Sequence, residues 1–339
     1  MSATKIPVAI VGASGYTGVE LVKMLLSHPR FEIAYVATSE GGVKLTELHP
    51  SLLGVIECDV EKADVKAIAA SAELVFLALP HKTAMAYVKE LMPLGVKVVD
   101  LSADYRLKRS TYEENYCEHI DPDHLADAVY GLPELNREQI KSTSLVANPG
   151  CYPTVSILST LPFLPYMQEG SELIIDAKSG VSGAGKKCID STHYVTINDN
   201  LFAYNPLGHR HGAEIDEKLS IAAGKPVKAH FVPHLLPATR GMMASVYMQL
   251  KEPIDPVAVL RDYYKDEPMV RVRTEPVDLK SVAGTHFCDI YAKCSGNLLF
   301  ISGAIDNLLR GASSMALVNA NLMMGLEEKT AVPTIAYVP

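Results

Sequence analysis

The sequence predicts a two-domain α/β protein, in which a doubly wound parallel sheet precedes an α+β domain. Three observations carry this. The chain has 339 residues, more than one hydrophobic core usually supports. Strand-like and helix-like segments alternate over roughly the first 150 residues, the pattern of βαβ units. Beyond that point longer strand-like runs follow one another with few helices between them.

The elements follow in chain order. "KIPVAIV" (Lys5–Val11) reads as a short buried strand, followed by the glycine turn "GASGYTG". Next, "VELVKMLLSHP" sets Val19, Leu21, Val22, Leu25 and Leu26 at helical spacing, and Pro29 stops the helix. "FEIAYVAT", "AELVFLALP" and "VKVVDLS" are further strands, with a helical "HKTAMAYVKELM" between the last two. In the second half, "SELIIDAKSG", "VKAHFVPHLL", "GMMASVYMQLK", "PMVRVRT", "HFCDIYAKCSG" and "NLLFISGAI" read as strands of a mixed or antiparallel sheet. "IDPVAVLRDYYKDE" is the one clear helix among them, capped by Asp255 with Pro256 at its first position. A last helix is expected from Asp306 to Leu326. The segment "DNLLRGASSMALVNANLMMG" has the length of a membrane span. It carries Asp306, Arg310, Asn319 and Asn321, so a buried amphipathic helix is expected and no membrane association.

Composition narrows the function. A net charge of −8 with no basic stripe makes the chain a poor ligand for nucleic acid. Six cysteines, none in a C-x-x-C pair, and no signal-peptide pattern point to a reducing cytoplasm without a disulfide framework.

Four motifs carry chemistry. In "VGASGYTGVEL", Gly12, Gly15 and Gly18 form a G-x-x-G-x-x-G turn between strand and helix, the setting in which backbone N–H groups approach a pyrophosphate. Ser14 and Thr17 add hydroxyls. At the end of the second strand "VATSEGG" puts Thr38 and Ser39 where an NAD site would carry an acid, which favours NADP(H); Glu40, one step on, opposes it. In "SLVANPGCYPT", Cys151 follows a Pro-Gly turn and opens a helix, where the local potential lowers a thiol pKa. A dinucleotide and a thiolate together suit acyl transfer to sulfur followed by hydride transfer. "LGHRHGAEIDEKL" brings His209, Arg210, His211 and Glu214 together. One histidine suits an acid/base role, and the absence of further ligand clusters disfavours a metal, so none is expected. In "DLSADYRL", Arg106 follows a strand and suits a phosphate or carboxylate clamp, or a surface ion pair. "KSGVSGAGKK" is a second glycine loop containing Ser182 and Gly183; it lacks the P-loop spacing.

Together "VGASGYTGVEL", "DLSADYRL", "ANPGCYPT", "SGVSGAGKK", "GHRHGAEI", "PHLLPATRGM" and "DNLLRGAS" resemble the N-acetyl-γ-glutamyl-phosphate reductase family, in the family's order from Ile6 to about Leu326. That family is similar in architecture to aspartate-semialdehyde and glyceraldehyde-3-phosphate dehydrogenases. The resemblance implies a Rossmann domain over residues 1–149, completed by 306–339, and an α+β catalytic and dimerisation domain over 150–305. It implies NADPH-dependent reduction of N-acetyl-L-glutamyl 5-phosphate to the 5-semialdehyde in arginine biosynthesis, through a thioester on Cys151, with inorganic phosphate as co-product. His209, in preference to His211, would protonate the forming oxygen. Arg106, Asn148 and Glu214 would hold the substrate. Gly12, Ser14, Gly15, Tyr16, Thr17, Gly18 and Ser39 would line NADP(H), Ser182 and Gly183 would close over it, and Asn307 would approach its nicotinamide. A homo-oligomer, dimer or tetramer, is implied. The rival readings are an acyl-phosphate reductase for carrier-bound aminoadipyl phosphate, which would need a basic docking face, and one for aspartyl phosphate.

Overall fold

A computed structural model describes residues 4–337. The chain divides into two compact units. One runs to Pro149 and includes Ala312–Pro333; the other comprises Gly150–Gly311 and the segment from Thr334. The residues Asp306–Gly311 and those from Thr334 therefore group with the second unit, so the C-terminal segment is shared between the units.

The first unit is built on eight strands: β1 (Ile6–Val11), β2 (Phe31–Thr38), β3 (Val43–Lys44), β4 (Asp59–Lys62), β5 (Leu74–Leu77), β6 (Lys97–Asp100), β7 (Val129–Tyr130) and β8 (Leu145–Ala147). They lie in the order β3-β4-β2-β1-β5-β6-β8-β7. All neighbours are parallel except β3 and β4. β1 lies between β2 and β5, so the strand order reverses there. In open parallel sheets that switch point is where ligands bind, outside the carboxyl ends of the strands. The central strands β1, β5, β6 and β8 are largely buried, as expected of a parallel sheet covered on both faces.

The helix Ser314–Met323 belongs to this unit and packs against the helices Tyr16–Leu26 and Pro133–Ser142. It is buried on every side, not amphipathic as its polar residues suggest. Their amide groups are bonded internally, although Asn319 Oδ1 is buried without a partner among the described residues. Asn319 donates to the Gly131 carbonyl and to Asn148 Oδ1, and Asn321 bonds His28 and donates to the carbonyls of Glu328 and Thr330. The expected start at Asp306 is also displaced. Asn307 and Leu308 form a turn, and Leu309–Ser313 is a π-helical turn leading into the helix.

The second unit holds β9 (Leu173–Gly180), β10 (Phe202–Ala203), β11 (Ala229–Leu236), β12 (Met242–Gln249), β13 (Val270–Val272), β14 (Cys288–Ser295) and β15 (Leu298–Ile305), ordered β10-β11-β9-β12-β15-β14-β13. β9–β11 and β13–β14 are parallel and the other pairs antiparallel, a mixed sheet. Alternate residues of β9, β11 and β12 are buried, the signature of a sheet covered mainly on one face. The helix Cys151–Thr160 packs on that face against β12 and β15. Gly303 is required there, since a Cβ would lie 2.1 Å from Ser159 Oγ. The helix Pro256–Tyr263 starts as the sequence predicts: Asp255 accepts from the N–H groups of Val257 and Ala258.

Candidate active site

The glycine turn after β1 is a narrow cradle. Gly12 has φ +93°, and a Cβ on it would stand 2.2 Å from the Ala78 carbonyl oxygen at the end of β5. A Cβ on Gly18 would stand 2.7 Å from Ala13 Cα. Glycine is thus needed at both places, for the turn and for seating the helix Tyr16–Leu26. Gly15 is the N-cap and no side chain caps this helix, so its first N–H groups point out of the turn. Tyr16, Thr17 and Gly18 form the first helical turn, and Ser14 lies in the loop before it. Ser39 follows the last residue of β2 and is exposed. His49, which the sequence did not single out, braces the cradle by donating from Nε2 to the Ala13 carbonyl at 2.7 Å. These residues fit a dinucleotide: Gly12 and Gly18 let the turn pack tightly onto the sheet, while the uncrowded Gly15 and the uncapped N–H groups at the helix start suit a pyrophosphate.

Arg106 is buried in the turn after β6. Its Nε donates to the Asn148 carbonyl at 2.6 Å and its Nη2 to the Leu101 carbonyl at 2.8 Å. Asn148 is fully buried; its amide donates to the Ala312 carbonyl and its Oδ1 accepts from Asn319. Its side chain is thus held by main chain and by Asn319 within the unit. What it offers Arg106 is its main-chain oxygen.

The turn itself is built on carboxylates. Asp100 accepts from the N–H and hydroxyl of Ser102, and Asp104 from the N–H of Lys82 and the hydroxyl of Tyr112. Burial, and then the charge of Asp104, push the Asp100 carboxyl up from 3.8 to about 7. In the folded state it keeps a proton that the unfolded chain has already lost between about pH 4 and 7, so stability from this group falls as pH rises through that window. Asp100→Asn should therefore gain on the wild type between pH 5 and pH 8 in thermal unfolding. A difference in Tm that stays constant with pH would contradict this assignment.

In the second unit, Cys151 is the first residue of its helix and is partly buried; Gly150, in extended conformation, is the N-cap. No acidic residue lies in the first helical turn. The positive end of the helix therefore favours thiolate. Glu214, 1% exposed, accepts from the Gly150 N–H at 3.0 Å and so fixes the peptide next to the nucleophile. Gly311 closes the other side: a Cβ there would lie 2.6 Å from Cys151 Cβ.

His209 and His211 stand beside this helix start, their ring centroids 4.8 Å apart. Tyr152, Tyr204 and Phe231 surround His209 edge-on, at 6.0, 5.4 and 5.6 Å. The Tyr204 hydroxyl donates to Tyr152, which donates to the His234 carbonyl. Burial raises both phenols' pKa values; Tyr204 raises that of Tyr152 further, and Cys151 adds to both. His209 Nδ1 accepts from the His211 N–H at 3.1 Å. When neutral, its proton must then sit on Nε2. Burial, and then the charge of Arg210, lower its pKa to about 4, so the ring is a neutral donor at physiological pH. Tyr204 was not legible as a site residue: it lies in a loop, and only the tertiary fold brings it here.

Ser182 and Gly183 lie in the short 3₁₀ turn Val181–Ala184 after β9. Asn307 joins them, donating to Ser182 Oγ at 2.9 Å while its Oδ1 accepts from the Gly241 N–H at 2.9 Å. Among the described residues no cluster of His, Cys, Asp and Glu could hold a metal, and no helix is long and apolar enough to cross a membrane.

Residues 7–143 match the semialdehyde dehydrogenase NAD-binding domain, and residues 151–307 the semialdehyde dehydrogenase dimerisation domain. An N-acetyl-gamma-glutamyl-phosphate reductase of Sulfurovum sp. is 59% identical, covering 98% of this chain and 100% of its own length. The chain belongs to the N-acetyl-gamma-glutamyl-phosphate reductase family. The family member of Wolinella succinogenes is 58% identical over 99% of both chains. As a member of this reductase family the chain is an oxidoreductase with an NAD(P)-binding domain. In fold, the chain is similar to aspartate semialdehyde dehydrogenase II of Vibrio cholerae, with a TM-score of 0.74 at 15% identity over 95% of this chain and 99% of that one. The resemblance extends to the aspartate semialdehyde dehydrogenase of Candida albicans solved with NADP, at TM-score 0.71 and 13% identity over the same shares.

Proposed function

We propose that the chain reduces N-acetyl-L-glutamyl 5-phosphate to N-acetyl-L-glutamate 5-semialdehyde, with Cys151 as nucleophile, as a homo-oligomer in the cytoplasm. The observation that supports this most is the thiol at a helix N-terminus whose next residue, Tyr152, packs against a histidine with its proton fixed on Nε2. The Cys151 sulfur attacks the acyl carbon. A C–S bond forms, the C–O bond to phosphate breaks, and inorganic phosphate leaves with the bonding electrons. Arg106 binds the phosphate oxygens, and its guanidinium is oriented for this by the carbonyls of Asn148 and Leu101. Gly12, Ser14, Gly15, Tyr16, Thr17, Gly18 and Ser39 would hold NADPH, with Ser182, Gly183 and Asn307 toward its nicotinamide, and when bound it would supply the hydride for the thioester carbon. His209 donates a hydrogen bond from Nε2 to the oxygen that gains charge and keeps its proton. The tetrahedral oxyanion then re-forms the C=O as the C–S bond breaks, which releases the aldehyde and the Cys151 thiolate. Glu214 keeps the Gly150 peptide, and with it the sulfur, in place.

The assay is phosphate-dependent NADP+ reduction with N-acetylglutamate semialdehyde against aspartate semialdehyde. The acetylated aldehyde should be used at least about 10²-fold better in kcat/KM, the discrimination expected where a buried site is built to bond one polar group of its substrate. Turnover of the unacetylated aldehyde alone would refute the assignment.

A further inference from the structure

The NADPH reading leaves an electrostatic problem. A 2′-phosphate at the end of β2 would meet the exposed Glu40, and Ser39 offers only a hydroxyl against its charge. The sheet supplies a cation at that corner. β4 runs parallel to β2, and its last residue, Lys62, is in register with Thr38, the last residue of β2. Paired residues of neighbouring strands project to the same face, so Lys62 stands on the Thr38 side and Glu61 on the other, opposite Ala37.

The turn after β2 is pressed onto the same residue. Gly41 has φ +66°, its N–H donates to Thr38 Oγ1 at 3.0 Å, and a Cβ on it would lie 2.1 Å from the Lys62 nitrogen. Thr38, Ser39, Glu40, Gly41 and Lys62 therefore make one corner. Lys62 is held there by its main chain, since its carbonyl accepts from the Tyr35 hydroxyl at 2.9 Å. Its side chain is exposed, and its ammonium carries no ion pair among the described residues. The other nearby lysine differs: Lys44 Nζ is paired with Asp59 at 2.6 Å.

We propose that Lys62 is a cofactor-specificity residue, the cation that recognises the 2′-phosphate of NADP(H) and offsets Glu40. The inference rests on the NADPH reading above. It is tested by calorimetric binding of NADP+, NAD+, adenosine 2′,5′-bisphosphate and 5′-AMP to the full chain, as wild type, Lys62→Ala, Lys62→Arg and a control, Lys66→Ala. One ammonium facing a solvent-exposed phosphate corresponds to about fivefold to tenfold in Kd. Lys62→Ala should lose that factor for NADP+ and the bisphosphate, and leave NAD+ and AMP within about twofold. Lys62→Arg should retain most of the affinity, Lys66→Ala all of it, and the loss should shrink at about 0.5 M salt, where the screening length is a few ångströms. Unchanged NADP+ affinity in Lys62→Ala, with the wild type still preferring NADP+, would overturn the role of Lys62 alone. A wild type that binds NAD+ as tightly as NADP+ would overturn the NADPH reading and this inference with it.

Discussion

Cys151→Ser is expected to lower kcat by at least about 10³-fold while leaving the Kd for NADP+ unchanged. The substitution replaces one sulfur by oxygen at the first position of a helix whose start is fixed from two sides. Glu214 holds the preceding peptide, and Gly311 leaves no room for the residue to retreat. The serine should therefore occupy the same place with the same neighbours. What changes is the ionisation. A thiol at a helix start yields thiolate near neutral pH, whereas a hydroxyl there does not, and no base is aimed at it: neutral His209 has its Nδ1 lone pair occupied by the His211 N–H and a proton on Nε2. The residues proposed for the cofactor's phosphates belong to the unit that runs to Pro149 and are untouched. Loss of NADP+ affinity in parallel with turnover would point to a structural cysteine. Steady-state kinetics and calorimetry on the same preparation separate the two outcomes.

His209→Asn is expected to reduce kcat by about 10²- to 10³-fold, and His211→Asn by less. The ordering follows from the tautomer. His209 is the ring whose proton position is determined by a main-chain donor, and its neutral form is guaranteed by burial among Tyr152, Tyr204 and Phe231. Because its pKa is lowered to about 4, kcat should show no ionisation assignable to this ring between about pH 5.5 and 8. The same shift has a stability consequence. In the unfolded chain the ring takes up a proton near pH 6.5, while in the fold it does so only near pH 4. Stability from this group is therefore fully present above about 6.5 and falls as pH drops from there toward 4, a slope that His209→Asn should remove. A larger loss of kcat in His211→Asn, or an acid limb near pH 6.5 that disappears with His209, would reverse the assignment.

These expectations differ in how far they could be read from the chain alone. The glycine turn was legible because its requirement is local: strand, three glycines and helix are adjacent in sequence, and the clash with Ala78 only adds a reason for Gly12. Cys151 was legible for the same reason, as a thiol between a Pro-Gly turn and a helical run. Residues whose meaning depends on distant partners were not. Asn148 reads as a polar residue near the nucleophile, but Asn319 and Ala312, more than 160 positions away, occupy its amide. The polar residues of the helix Ser314–Met323 suggested a buried amphipathic helix because nothing in the sequence reveals that His28, Gly131 and Glu328 bond their amides. Tyr204, His49 and Lys62 gave no local signal at all. Lys62 acquires its place from strand register, and registers between β2 and β4 are set by the whole sheet.

The covalent step can be isolated from all others by omitting the reductant. Mixing the protein with N-acetylglutamyl phosphate in the absence of NADPH should release one phosphate per subunit, and intact mass should rise by one N-acetylglutamyl group, mapped by peptide analysis to Cys151. Absence of both the phosphate burst and the adduct, in a preparation that turns over once NADPH is added, would contradict a thioester on that sulfur.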